Sequence, residues 1–344
     1  MLHRSNREQK RGKQMRKSLA VVFALLALSG GTVHAGPPYS LTFCAASVGG
    51  TWALLGTGVD NAIRAEFPGS AVTIQISGGG IANARSMVEK KCEIGIMHAP
   101  EVVVALKGEP PFTAPVSNLR VIARIENWSP MHFLMTKEFA DKYNIKTIED
   151  IAKAKAPMRI VLNKRGNLSN AVAESMLKDS GVDVGELEKW GGKVLFGASQ
   201  EQTNLIQDHR SDAGMNVLYP RFSAILDVAR SVPSVLITVS PEVIEKTSKK
   251  WSVDKFTIAG GTYDFAPNDV ATVTMGGHLM TIAETPDEVV TDILKAITNK
   301  IEMLRSMHPE MKRLTIDLMP SAAGLPYHPA AQRFFKEKLN VTTN

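Results

Sequence analysis

Thr51 stands directly behind Gly49 and Gly50 in SVGGTWALLGTGV, residues 47–59, a stretch with four glycines among thirteen residues. Glycines let a guest approach the backbone closely, and a hydroxyl at a helix start can cap the first amide donors. Such a helix start also presents a favourable field to a carboxylate. Other chemistries fit the stretch poorly. It lacks the Lys-Ser or Lys-Thr pair of a Walker loop, Ser47 precedes the glycines instead of standing between them as in a nucleophile elbow, and GGTWALLG departs from the G-x-G-x-x-G order. Ser47, Gly50, Thr51 and Trp52 therefore read as one side of a ligand clamp, against the plainer reading of turn geometry with Trp52 in the core.

A second turn, SGGGIAN at 77–83, repeats the arrangement and adds Ser77, Gly79 and Asn83 as candidates. The strongest polar cluster is NKRGNLSNAVAES at 163–175. There Lys164 or Arg165 would engage an anion or else point into solvent, while Asn167, Ser169 and Asn170 would contact a ligand, cap the following helix, or do both. Trp128 and Tyr219 are candidates for an aromatic wall, Asn216 for orienting a ligand, and Tyr263 for a structural crossover. A catalytic reading has little to stand on. Beyond the first 35 residues His98, His132, His209, His278, His308 and His328 are dispersed, with no HExxH pair and no recognisable nucleophile turn. No catalytic residue, metal or cofactor is expected.

The elements that must position these residues alternate. YSLTFCAAS, AVTIQIS and CEIGIMHAP read as strands, separated by the helices TWALLGTGVDNAIRAEFPG and IANARSMVEKK. LRVIARI and MHFLMTK read as two further strands, and MRIVLNK, KVLFGAS and AGMNVLY as strands interleaved with helices. This pattern predicts an α/β fold of βαβ units, with ligands outside the carboxyl ends of the strands, at 47–52, 77–83 and 98–100. The expected division is 36–125 with 233–344 as one discontinuous lobe and 126–232 as the other, leaving a hinge and a cleft between them.

Residues 1–35 read as a cleavable secretion signal: a basic segment, the apolar SLAVVFALLALSG, and small residues at Val33 and Ala35. The leader holds seven of the 40 Lys and Arg and one of the 34 Asp and Glu, so 36–344 carry 33 of each. The formal charge of +6 belongs to the leader. A nucleic-acid partner then has no compositional support. Cys44 and Cys92 permit one bridge in an oxidising compartment, with two buried thiols the alternative.

FCAASVGGTWALLGTGV followed by VTIQISGGGIANARSMVEKKCEIGIM resembles the TAXI family of extracytoplasmic solute-binding proteins, which serve TRAP-type secondary transporters. IAGGTYDFAPNDVATV and LPYHPAAQRFFKE extend the resemblance over nearly all of the chain beyond the leader. It implies a two-lobed type II periplasmic binding protein that is not an enzyme. A monomer in the periplasm would capture a small organic anion, such as a dicarboxylate, a glutamate-like amino acid or a 2-oxo acid, and dock on a TRAP-type permease. A sensing module for a membrane receptor is the alternative role. The second lobe departs from the family where Gly166, Asn167, Leu168 and Ser169 replace a Gly-Ser-Gly-Thr-like stretch, and around 216–220. Substrate identity is not carried across those changes.

Overall fold

The computed structural model describes residues 36–322 and 324–343; the leader read at 1–35 lies outside the described residues. The chain opens with β1 (Ser40–Cys44), α1 (Thr51–Glu66), β2 (Ala71–Gln75), α2 (Gly80–Val88), β3 (Ile94–His98) and α3 (Ala99–Lys107). Strand β4 (Leu119–Thr136) leads into α4 (Lys137–Tyr143), α5 (Ile148–Lys153), β5 (Arg159–Leu162), α6 (Leu168–Asp179), α7 (Val184–Lys189), β6 (Lys193–Phe196), α8 (Ser199–Gln207) and β7 (Ala213–Val217). After α9 (Ser223–Ser231), β8 (Ser234–Leu236), α10 (Pro241–Trp251) and β9 (Asp254–Ile258), the long β10 (Val270–Ile282) returns, followed by α11 (Asp287–Asn299), α12 (Ile301–Arg305) and α13 (Pro329–Leu339).

One mixed sheet runs β2-β1-β3-β10-β4-β7-β5-β6, with β8 beside β4 and β9 beside β10. β1 pairs in parallel with β2 and β3, and β5 with β6 and β7. The two parallel sets are joined by β4 and β10, which lie antiparallel to each other. The two strand signals expected between 119 and 137 are thus one 18-residue strand. Pro130 lies where β4 changes neighbours: pairing with β10 ends at Thr274↔Pro130, and pairing with β7 begins at Met131. A residue without an amide proton fits a strand at such an irregularity and not in the middle of a regular ladder.

The helices form because their apolar residues recur on one face. In α1, Leu55, Val59, Ala62 and Ile63 are buried, and Gly56 lets the helix approach Phe43 and Ile74, which a Cβ would meet at 3.0 and 2.8 Å. Burying each large aliphatic side chain contributes about 1.5–3 kcal/mol as an upper bound. A helix absent from the sequence reading, α3, starts immediately at 99 with Pro100 and Glu101 in its first turn and Gly108 as a left-handed cap.

Two apolar clusters organise the interior. The larger joins the first βα series to α11 and continues through Leu218 and Tyr219 to Ile225 and Val228 of α9. In the smaller, Ile237, Val243, Val253 and Val273 pack with Met131, Ile160 and Met215, although the sequence division placed residues from 233 onward in the first lobe. Cys44 and Cys92 form a disulfide, with Cα atoms 5.8 Å apart, tying the end of β1 to the segment that enters β3.

Candidate functional site

Segments ending or following β1, β3, β5, β6 and β7 meet around a cavity of about 40 Å³, bordered by Ala46, Ser47, Gly50, Thr51, Trp52 and His98 on one side. Asn163, Asn167, Ser169, Ser199, Asn216 and Val217 close the other. The free space accommodates about three water-sized centres. A hydrogen-bonded chain fixes the lining: Ser47 Oγ donates to Asn163 Oδ1 (3.2 Å), Asn163 Nδ2 to Asn216 Oδ1 (3.0 Å), and Asn216 Nδ2 to Ser199 Oγ (2.9 Å). Its first bond crosses between the two strand sets. The backbone amide of Gln200 also crosses, donating to the Val48 carbonyl at 3.3 Å.

None of the twelve lining residues is an Asp, Glu, Lys or Arg. Positive potential comes instead from backbone. α1 and α8 start at the cavity after Gly50 and Ala198, residues whose side chains make no cap hydrogen bond. Apart from the Gln200 amide, which the Val48 carbonyl takes up, their first-turn amides need acceptors and carry the positive end of the helix dipole. α6 also starts there, but the Asn167 side chain already accepts from the Ser169 amide at 2.9 Å.

Two buried carboxylates brace the walls. The Glu101 carboxylate accepts the His98 amide at 2.9 Å and faces the amides of Gly80 and Ile81 in α2 and of Leu168 in α6. Burial pushes its pKa up to about 7, against the lowering pull of those amides. Glu126, on β4, accepts from the Trp52 indole (3.0 Å) and the Ser129 hydroxyl, while the Tyr219 hydroxyl lies beside it without closing a hydrogen bond. Burial raises the Glu126 pKa as well. The Trp52 ring is thereby held against the His98 ring, with centroids 4.5 Å apart. Among the described residues no group of three or more His, Cys, Asp or Glu is placed to hold a metal ion.

A family model described as the NMT1-like family matches residues 43–338. The chain belongs to the NMT1-like family. Its architecture is that of the type II periplasmic binding proteins. Similar folds include MatC from Rhodopseudomonas palustris with bound malate, at 13% identity and a TM-score of 0.53, over 80% of this chain and 90% of that one. A structure of a periplasmic transporter matches at 12% identity and a TM-score of 0.53, over 80% and 88% of the two chains.

In this NMT1-like chain the structure gathers Ser47, Gly50, Thr51, Trp52, Asn167, Ser169 and Asn216 at the cavity. It does not bring Lys164 and Arg165 there: both are exposed, and the Arg165 guanidinium lies over the Phe196 ring at 4.4 Å. The second glycine turn serves the frame. Ser77 donates to Asn83 Oδ1 (2.6 Å), and Asn83 Nδ2 bonds the carbonyls of Ala45 and Ile96, so these two residues hold β1 to β3. Gly79, at φ 108°, admits Asn167 from the opposite side, whose Nδ2 would lie 2.7 Å from an added Cβ. Asn170 donates to Glu174, and Trp128 and Tyr219 are buried outside the lining. Tyr263 shares a hydrogen bond with His132 Nε2 at 2.8 Å and accepts the Arg221 amide.

The sequence pattern does not select Ala46, Asn163, Ser199 or Val217, and His98 enters only as the first residue of the loop 98–100. His98 and Asn163 did carry a signal: each is the first polar residue ending an apolar strand, IGIMH and IVLN.

Proposed function

We propose that this chain captures a small organic anion outside the cytoplasm and delivers it to a TRAP-type secondary transporter. The observation that carries this reading is the cavity where two helix starts without side-chain caps meet a wall of Asn, Ser and Thr. Backbone amides hold an anion without a cationic partner, so the ligand retains its charge while shedding water. The site reads as capture without chemistry.

Delivery follows from the TAXI resemblance, which implies a dicarboxylate, a glutamate-like amino acid or a 2-oxo acid as cargo. The malate bound in MatC belongs to the first of these classes. Export is supported by the leader read at 1–35 and by the Cys44–Cys92 disulfide, a bond that persists in oxidising compartments. Ligand would stabilise contact between the halves, as at Ser47–Asn163 and Gly79–Asn167, in proportion to its preference for the closed form. The permease would then recognise that form.

Native mass spectrometry of protein isolated from its own periplasm, followed by denaturing extraction, tests the reading. Recovery of a short organic acid that rebinds in calorimetry is the expected result. A neutral solute that rebinds, or failure of dicarboxylates, acidic amino acids and 2-oxo acids alike to bind, would reject the anion reading.

A further inference from the structure

We propose that His98 gives the cavity one fixed hydrogen-bond acceptor, so that the preferred ligand is an acid bearing a hydroxyl or amino group beside its carboxylate. The inference rests on the anion reading above and narrows it.

Geometry settles which ring nitrogen carries the proton. His98 Nδ1 lies 2.9 Å from the Gly276 carbonyl oxygen. A carbonyl only accepts, so Nδ1 must donate, and in a neutral imidazole Nε2 then holds a lone pair. The ring is neutral at physiological pH because burial lowers its pKa to about 4, the Gly276 bond opposing that only in part. At Nδ1 the ring's hydrogen-bond partner is the Gly276 carbonyl. The side chain is 5% exposed and borders the cavity. His278 Nδ1, by contrast, is sealed from solvent without a partner.

The orientation is built in. Trp52 packs on the His98 ring at 4.5 Å, and Glu126 holds Trp52 through its indole proton. Glu101 holds the His98 backbone amide. The imidazole therefore cannot turn to exchange its nitrogens without breaking the Gly276 bond and the stack. Its lone pair repels a carboxylate or keto oxygen and accepts from an O–H or N–H group. The helix starts of α1 and α8 supply donors at the same cavity. A ligand satisfying both needs an anionic end and a nearby proton donor.

The test is a calorimetric panel of isosteric acids at two lengths: succinate, malate, oxaloacetate and aspartate, and glutarate, 2-hydroxyglutarate, 2-oxoglutarate and glutamate. At one length or both, the hydroxy or amino acid should bind about tenfold or more tightly than its deoxy and keto counterparts. His98→Phe should bring that ratio close to one whatever it does to the absolute affinities, which a merely structural role would not do. In ¹⁵N-histidine spectra of the wild-type protein, His98 should show the Nδ1–H form, with the Nε2 signal moving when the tightest acid of the panel is added. Preference for a keto or deoxy acid, a ratio that survives His98→Phe, or an Nε2–H tautomer would overturn the inference and leave the anion reading intact. If none of the eight acids binds, the anion reading fails and this inference with it.

Discussion

Thr51 and Arg165 separate two ways of attracting an anion. Thr51 begins α1 at the cavity edge and is 5% exposed, while Arg165 lies on the surface over Phe196. If helix starts and hydroxyls hold the ligand, Thr51→Ala should weaken binding about fivefold to tenfold, the usual worth of one hydrogen bond. Stability should change by less than about 1 kcal/mol, because the substitution leaves the helix and its apolar face in place. Arg165→Ala should alter affinity less than about twofold, since an exposed cation outside the lining is screened by solvent. Calorimetry on the two variants decides between these accounts. A large loss in the Arg165 variant with none in the Thr51 variant would restore the cationic mechanism that the sequence suggested. The confusion over 163–167 has a simple origin: NKRGN names adjacent residues without saying which ones face inward. Asn163 directly follows β5 and is buried, whereas Lys164, Arg165 and Gly166 form the exposed turn.

Helix starts and strand ends are local, and Ser47, Thr51, Ser169 and Asn216 could be selected from the pattern alone. Partners across the cleft were not legible. Ser199 joins Asn216 only because α8 and β7 are brought together by the sheet, and Gly79 acquires its role from Asn167, nearly ninety residues away. The two-turn symmetry misled for the same reason: α2 already has the Glu101 carboxylate from α3 at its first amides. Gly79→Ala tests this structural role. Alanine at φ 108° is strained by about 1–3 kcal/mol, and its methyl would press on Asn167. The variant should fold with reduced stability, bind more weakly, and keep a larger radius of gyration than wild type under ligand saturation. Equal radii in small-angle scattering would remove the close-approach role. A second test concerns the Cys44–Cys92 link, which joins β1 to the segment entering β3. Replacing both cysteines with serine should lower stability by about 2–4 kcal/mol in denaturant titrations. Binding should also weaken, since Ser47 and His98 follow the two strands that the bond holds together. An unchanged midpoint would count against the bond as a constraint on this half.

The whole molecule responds to pH through the histidines enclosed in it. Burial holds His98 and His132 at about 4 and His278 at about 3, below the ordinary value of 6.5. Half-buried His308 and buried His328 are lowered too. Desolvation dominates at each: the Arg124 charge adds to the lowering at His278, while the Pro130 carbonyl at His132 and the Gly276 carbonyl at His98 oppose it only in part. Above pH 6.5 both folded and unfolded chains carry neutral imidazoles, so the full stability is present. As pH falls below 6.5 the unfolded chain takes up protons that the folded chain refuses, and each deeply buried histidine removes about 1.4 kcal/mol per pH unit. Glu101, raised to about 7, and Glu126, also raised, act with the opposite sign. From pH 7 down to about 4.5 folded Glu101 retains a proton that the unfolded chain releases, offsetting part of the histidine loss, and Glu126 adds to the offset. Below about 4.5 that offset ends because the unfolded carboxyls are protonated as well, while His98 and His132 continue to oppose folding to about pH 4 and His278 to about 3. Denaturation midpoints should therefore fall gently from pH 6.5 to 4.5 and steeply between 4.5 and 4. His132→Gln removes one titrating group while retaining polar atoms near Tyr263. It should lower stability at pH 7 yet flatten the acid slope by about 1.4 kcal/mol per pH unit. A slope identical to wild type would mean that His132 protonates with little penalty in the folded chain, and that acid unfolding originates elsewhere.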